Sequence, residues 1–120
     1  MITSRWFVER EFELCVPACS LQDMNQDTMK RFDLTRDYAG IPLVITSAYR
    51  SPEWDKSKNR SGTGAHTLGR AIDIRCNTIQ NRFLIVSALL KAGFTRIGIA
   101  DTFIHADDSP NHQVQIIWLY

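Results

Sequence analysis

Arg96-Ile97-Gly98-Ile99, Phe103-Ile104-His105-Ala106-Asp107 and Val114-Gln115-Ile116-Ile117-Trp118-Leu119 follow one another near the end of the chain. Each is a short run of β-branched and apolar residues between polar or glycine-containing breaks, which reads as a strand. Two earlier runs, Leu43-Val44-Ile45-Thr46 and Ala71-Ile72-Asp73-Ile74, read the same way. Only two stretches are helical in composition. The first runs from about Asn25 to Tyr38, with Met29, Phe32 and Ala39 near one face, Gly40 at its end and Pro42 just beyond. The second runs from Ile79 to about Lys91, with Thr78 as N-cap, Phe83, Val86, Leu89 and Leu90 as its apolar face and Gly93 as its stop. Several short strands with two helices predict an α+β domain, a small antiparallel sheet flanked by helices.

The 120 residues suffice for one such domain, spanning 1–120, and not for two. A hydrophobic fraction of 44% and a charged fraction of 22% exclude a disordered chain. The formal charge of +1 excludes a strongly basic nucleic-acid footprint, so no nucleic-acid partner is expected. No apolar run approaches the roughly 20 residues that span a bilayer. The charged start, with Arg5, Glu9, Arg10, Glu11 and Glu13, lacks the apolar core of a signal peptide. Residues 1–24 read as an irregular arm anchored by Trp6, Phe7, Phe12 and Leu14, with Pro17 opposing a helix. Ser51 to Gly64 reads as a long polar loop whose one large apolar side chain, Trp54, pins it. Cys15, Cys19 and Cys76 are too few for a closed disulfide framework, and Cys15-x-x-x-Cys19 is not a usual zinc knuckle. Their expected role is structural or incidental.

Three histidines carry the chemical signal: His66, His105 and His112. His66 and Asp73 are seven positions apart. On one helix they would stand about 10 Å apart along the axis, too far for bonds of about 2 Å to one ion. Gly69 also opposes a helix there. A turn at Leu68-Gly69 followed by a strand would fold Asp73 back toward His66. In a strand through Phe103–Asp107, His105 and Asp107 share one face, and Ile104 and Asp108 the other. Two histidines and a carboxylate leave a fourth position open for water, the pattern of catalytic zinc. The bland alternative is a loop histidine, a satisfied turn carboxylate and a half-buried strand histidine. His112 lies in a turn-like stretch and is expected to be exposed.

Thr46-Ser47-Ala48-Tyr49-Arg50-Ser51-Pro52-Glu53 resembles the Ser-Gly-Tyr-Arg-Ser-Pro-Glu element of the zinc D-alanyl-D-alanine carboxypeptidases and related cell-wall endopeptidases. His66-Thr67-Leu68-Gly69-Arg70-Ala71-Ile72-Asp73 resembles that family's His-x-x-Gly-x-Ala-x-Asp zinc motif, and Phe103–Asp107 its closing ligand strand. The stretches Ala92–Ala100 and Ile116–Tyr120 resemble a compact phage-associated branch. Three motifs in register weigh more than each alone. The resemblance implies the fold shared with the hedgehog signalling domain and a Zn2+ cofactor held by His66, Asp73 and His105. It implies Arg50, with Ser47 and Tyr49 of the same element, as substrate residues. It implies hydrolysis of peptide bonds in peptidoglycan stem peptides, at the cell wall; a monomer is expected. Two departures stand out: Gly64 occupies the place of a common serine, and Thr102 that of a common catalytic carboxylate. Asp107 is then the expected general base, with orientation of a ligand histidine as its other role, and Asp101 and Glu53 as further candidates. A guanidinium at Arg50 suits a carboxylate or a developing oxyanion. Lys56, Lys58, Arg60 and Arg70 make this region locally basic, which suits an acidic polymer. The alternative functions are a non-catalytic zinc module that binds cell wall and a structural virion protein.

Overall fold

The computed structural model describes residues 1–120. Its elements run α1 (Glu9–Glu13), α2 (Gln26–Ala39), β1 (Ile45–Ser47), α3 (Pro52–Ser57), β2 (Ala71–Arg75), α4 (Ile79–Lys91), β3 (Arg96–Ile99), β4 (Phe103–Asp107) and β5 (Ile116–Leu119), with short 3-10 turns at Leu21–Asp23 and Ala65–Leu68. The fold is α+β, as the strand and helix pattern predicts.

The five strands form one sheet in the order β1-β2-β4-β3-β5. Three pairings are antiparallel, but β5 lies parallel to β3, so the sheet is mixed rather than antiparallel. The excursion from Asp108 to Gln115 brings the chain back to the outer side of β3 and causes the difference. Gln115 takes a left-handed backbone, φ 60°, and so strand pairing begins at Ile116 rather than at Val114.

The register creates two unlike faces. One carries Ile72, Ile74, Ile97, Ile104 and Ala106, all fully buried in a core with Met29, Phe32, Ile85, Leu89 and Phe94. Phe32 and Phe94 stack at 4.5 Å in this core. The other face carries a polar row, Ser47–Asp73–His105–Gly98–Trp118, running straight across the sheet. Alternation along the strands sends chemistry to one side and the core to the other.

Asn25 caps α2 through the Thr28 N–H, Gly40 closes it at φ 68°, and Thr78 caps α4 through the Asn81 N–H. On α4 the buried stripe is Ile85, Ala88 and Leu89, while Phe83 and Leu90 are exposed. The expected face holds at Leu89 and at Val86, which packs half-buried against the core, but not at Phe83 and Leu90: positions 85, 88 and 89 share one helical stripe, and Phe83 lies two residues, about 200°, around from Ile85.

The N-terminal arm is more ordered than its sequence implies. It holds α1, whose Phe12 is fully buried, and the Val16 N–H bonds the Thr46 carbonyl at the open side of β1. Asp33 anchors the start of the chain by accepting from the Ser4 hydroxyl and the Arg5 and Trp6 amides. The polar stretch 51–64 also begins as a helix, α3, with Ser51 as N-cap and Pro52 in its first turn. Buried Asp55 then accepts from the Gly62 N–H at 3.0 Å and closes the remaining loop. No helix is long and apolar enough to cross a membrane.

Candidate metal centre

His66, Asp73 and His105 arrive from three directions. The 3-10 turn Ala65–Leu68 carries His66, and Gly69 ends that turn at φ 69°. A side chain at Gly69 would be strained, and its Cβ would lie 2.3 Å from the Asp23 carbonyl oxygen. The chain then enters β2, which carries Asp73 directly opposite His105 of β4. The turn-then-strand geometry read from Gly69 is thus the one adopted.

The donor atoms converge. His66 Nε2 is 3.3 Å from Asp73 Oδ1, and His105 Nδ1 is 2.9 Å from the same oxygen. One ligand atom from each residue lies within 4.8 Å of the others, and all three residues are buried. Each imidazole has its remaining nitrogen fixed. His66 Nδ1 donates to the Ala48 carbonyl at 2.5 Å, and His105 Nε2 donates to Asp107 Oδ2 at 2.6 Å. These bonds leave His66 Nε2 and His105 Nδ1 as the nitrogens aimed inward at Asp73, the atoms that would bind an ion as lone pairs, which is how outer groups prepare histidine ligands. A borderline-soft divalent ion such as zinc takes this N2O donor set.

The electrostatics follow from that packing. Burial pushes the Asp73 carboxyl up, but hydrogen bonds from His105 and His66 outweigh it and hold the group well below the usual carboxylate range. Burial pushes His105 down, yet bonds to Asp107 and Asp73 reverse this and raise it. Burial likewise raises Asp107, and the His105 bond, the Ser109 amide and Arg96 bring it below the ordinary value.

Asp107 shares the His105 face, as strand alternation requires. Both its oxygens are engaged: Oδ2 by His105, Oδ1 by Arg96 Nε at 2.7 Å and by the Ser109 N–H at 3.1 Å. It is also almost completely buried. Asp101 is exposed in the turn before β4, because the strand starts only at Phe103. Glu53 is exposed on α3. Arg50 stands at the rim, half-buried, with Nη2 3.5 Å from Asp73 Oδ2 and its guanidinium 5.8 Å from the Trp54 ring. Lys58 and Arg60 also approach that ring, at 5.5 and 5.9 Å. Ser47 adjoins Asp73 in the polar row with its hydroxyl buried and unpartnered. Tyr49 lies half-buried against the core. His112 is half-buried rather than exposed, because its Nδ1 pairs with the Ser109 hydroxyl at 2.7 Å. Gly64 leaves open space, since a Cβ there would meet nothing within 4 Å. The three cysteines are free thiols outside the cluster.

Several contributors escape a reading by sequence spacing. The Ala48 carbonyl is a backbone group. Arg96 and Gly98 matter only through the β3–β4 register, which pairs Arg96 with Asp107 and Gly98 with His105. Asp108, pointing away from the centre, accepts from Thr28 Oγ1, Arg31 Nη1 and Arg70 Nε, tying α2 and the His66–Asp73 turn to β4.

No curated protein and no solved structure matches the chain. The sequence profile of the Peptidase M15 family matches residues 7–107, which include all three converging residues and Asp107. Since that match covers most of its length, the chain belongs to the Peptidase M15 family.

Proposed function

We propose that the protein is a zinc-dependent peptidase that hydrolyses peptide bonds in peptidoglycan stem peptides at the bacterial cell wall. The observation that carries this is the pair of histidines, each with its outer nitrogen bonded, whose inner nitrogens meet Asp73 Oδ1 at 3.3 and 2.9 Å, in a chain of the Peptidase M15 family. His66, Asp73 and His105 would hold the ion. Zinc bound there supplies Lewis acidity, lowering the pKa of water to about 7 and polarising a carbonyl.

The remaining work belongs to the chain's own groups. Arg50 has a single long contact to Asp73, which leaves donor capacity for a substrate carboxylate or carbonyl oxygen. Trp54 stacks under it and limits its excursions. Asp107 acts through His105: it holds Nε2–H and so keeps Nδ1 free as a ligand. Its saturated oxygens favour this orienting role over that of general base, because a base needs a free lone pair facing the reactive water. The unneutralised cations Lys58 and Arg60 beside Trp54 suit an acidic wall polymer.

The experiment is a digest of purified peptidoglycan with zinc-loaded protein, chelated protein and the Arg50→Ala variant, read by mass analysis of released peptides. Cleavage by the loaded form alone, with Arg50→Ala retaining zinc but strongly depressed in turnover, supports the reading. No cleavage by the loaded wild type sinks it.

A further inference from the structure

Beyond the family-matched residues 7–107 the chain adds β5 and Tyr120, and this strand reaches the metal centre. Gly98 pairs with His105 on one side and with Trp118 on the other. A Cβ on Gly98 would lie 2.6 Å from Trp118 Cε2 and 2.7 Å from Tyr120 Cε2. Both aromatic rings thus lean into the space that a side chain at position 98 would fill. Trp118 stands 5.4 Å from the His105 ring, and the Arg96 guanidinium lies 5.4 Å from the centre of the Trp118 ring. Tyr120 rests against Phe103 at 5.1 Å.

Strands in a sheet lie about 4.8 Å apart, so β1 and β5 are roughly 19 Å apart with His105 on the middle strand. Arg50 approaches from the β1 end and Tyr120 from the β5 end. Tyr120 is 68% exposed. Its ring sits over Gly98, the neighbour of His105 in the polar row, near enough to the centre to feel the charges of Asp73, Arg50 and Asp107. Partial burial, with Asp73 next in weight, pushes this phenol above its ordinary pKa. A phenol keeps its proton at neutral pH, so the hydroxyl is an O–H donor.

We propose that Tyr120 is a substrate-binding residue of this site, its hydroxyl donating a hydrogen bond to the carbonyl oxygen of the bound peptide from the rim opposite Arg50, with Trp118 as the apolar wall behind it. The inference rests on the peptidase reading of the metal centre. A donor fixed where oxygen charge develops favours the transition state over the ground state. Gly98 is the enabling residue, because any side chain there would meet both rings, pushing Trp118 off His105 and Tyr120 out of its place.

Tyr120→Phe removes the hydroxyl and keeps the ring. The variant is compared with wild type for zinc content, for hydrolysis of a stem peptide, and for binding of a phosphinate dipeptide followed by tryptophan fluorescence. The tetrahedral phosphinate oxygen stands in for the attacked carbonyl oxygen. The expected result is unchanged zinc, phosphinate binding weakened roughly 10- to 100-fold, and a fall in kcat with little change in KM. Gly98→Ala, with zinc retained, is expected to weaken phosphinate binding similarly. Equal phosphinate affinity in wild type and Tyr120→Phe overturns the proposal. Failure of the zinc-loaded wild type to hydrolyse the peptide sinks the peptidase reading instead, and the phosphinate titration still decides whether Tyr120 touches a ligand.

Discussion

Asp107→Asn separates the two roles open to this carboxylate. Asp107 accepts three hydrogen bonds, from His105 Nε2, Arg96 Nε and the Ser109 amide. Asparagine offers one acceptor oxygen and one NH2 donor. If its oxygen stays with Arg96 and Ser109, the NH2 faces His105 Nε2–H, donor against donor. The imidazole escapes by moving its proton to Nδ1, the nitrogen aimed at Asp73 and the ion's position. If the amide turns around, the NH2 faces Arg96 and Ser109 in a site that is almost fully buried, which costs about 1–3 kcal/mol for the unsatisfied donors. Either way the ligand set is spoiled. We expect zinc affinity to weaken by about 10- to 100-fold, equivalent to roughly 1.4–2.7 kcal/mol, and turnover to recover when zinc is added in excess. Competition against a chromophoric chelator at neutral pH gives the affinity, and a peptidoglycan digest across a zinc series gives the recovery. Normal zinc affinity with turnover lost by about 100-fold or more would refute the orienting role and return Asp107 to that of base. Normal affinity with normal turnover would remove it from both.

Gly69→Ala combines a left-handed backbone with a Cβ placed 2.3 Å from the Asp23 carbonyl. It should cost about 2 kcal/mol or more in thermal unfolding and loosen zinc, since the same turn holds His66. Asp108→Ala strips Thr28, Arg31 and Arg70 of a shared partner. A loss of about 3 kcal/mol in denaturant unfolding is expected, and a loss under 0.5 kcal/mol would show the knot to be dispensable. Zinc uptake should depend on pH through His105. Its pKa is raised in the metal-free protein, so the ion must displace a proton whenever the pH lies below that raised value. Affinity should fall by about tenfold per pH unit there and level off above it, a profile read by zinc titration from acid to alkaline buffers. A flat profile would contradict the His105 bond network.

The sequence made the chemistry legible because it is local. His66 and Asp73 are separated by a glycine that dictates a turn, and His105 and Asp107 by one residue in a strand, so each pair is placed by backbone geometry alone. What sequence could not supply is register. The pairing of Gly98 with His105 and of Arg96 with Asp107 depends on how β3 docks on β4, and it decides that Asp107 is saturated rather than free. The parallel seating of β5 is equally non-local, set by the excursion after Asp107. The buried face of α4 was legible only at Val86 and Leu89, because Phe83 and Leu90 are apolar yet exposed, while small Ala88 takes an inward position. The arm and the 51–64 stretch hid their helices, since both are short: the arm is held by its bond to Thr46, and α3 by the Ser51 cap and the Asp55–Gly62 bond.

Zinc content of the purified chain is the most direct test of the central claim. Elemental analysis of wild type, His66→Ala, Asp73→Ala and His105→Ala, each shown to be folded by circular dichroism, should find about one zinc per wild-type chain and little in each variant. Cys15→Ser with Cys19→Ser should leave the content unchanged, because neither thiol belongs to the cluster. Full zinc in any two of the three alanine variants, or its loss with the cysteines, would place the metal elsewhere and contradict the account.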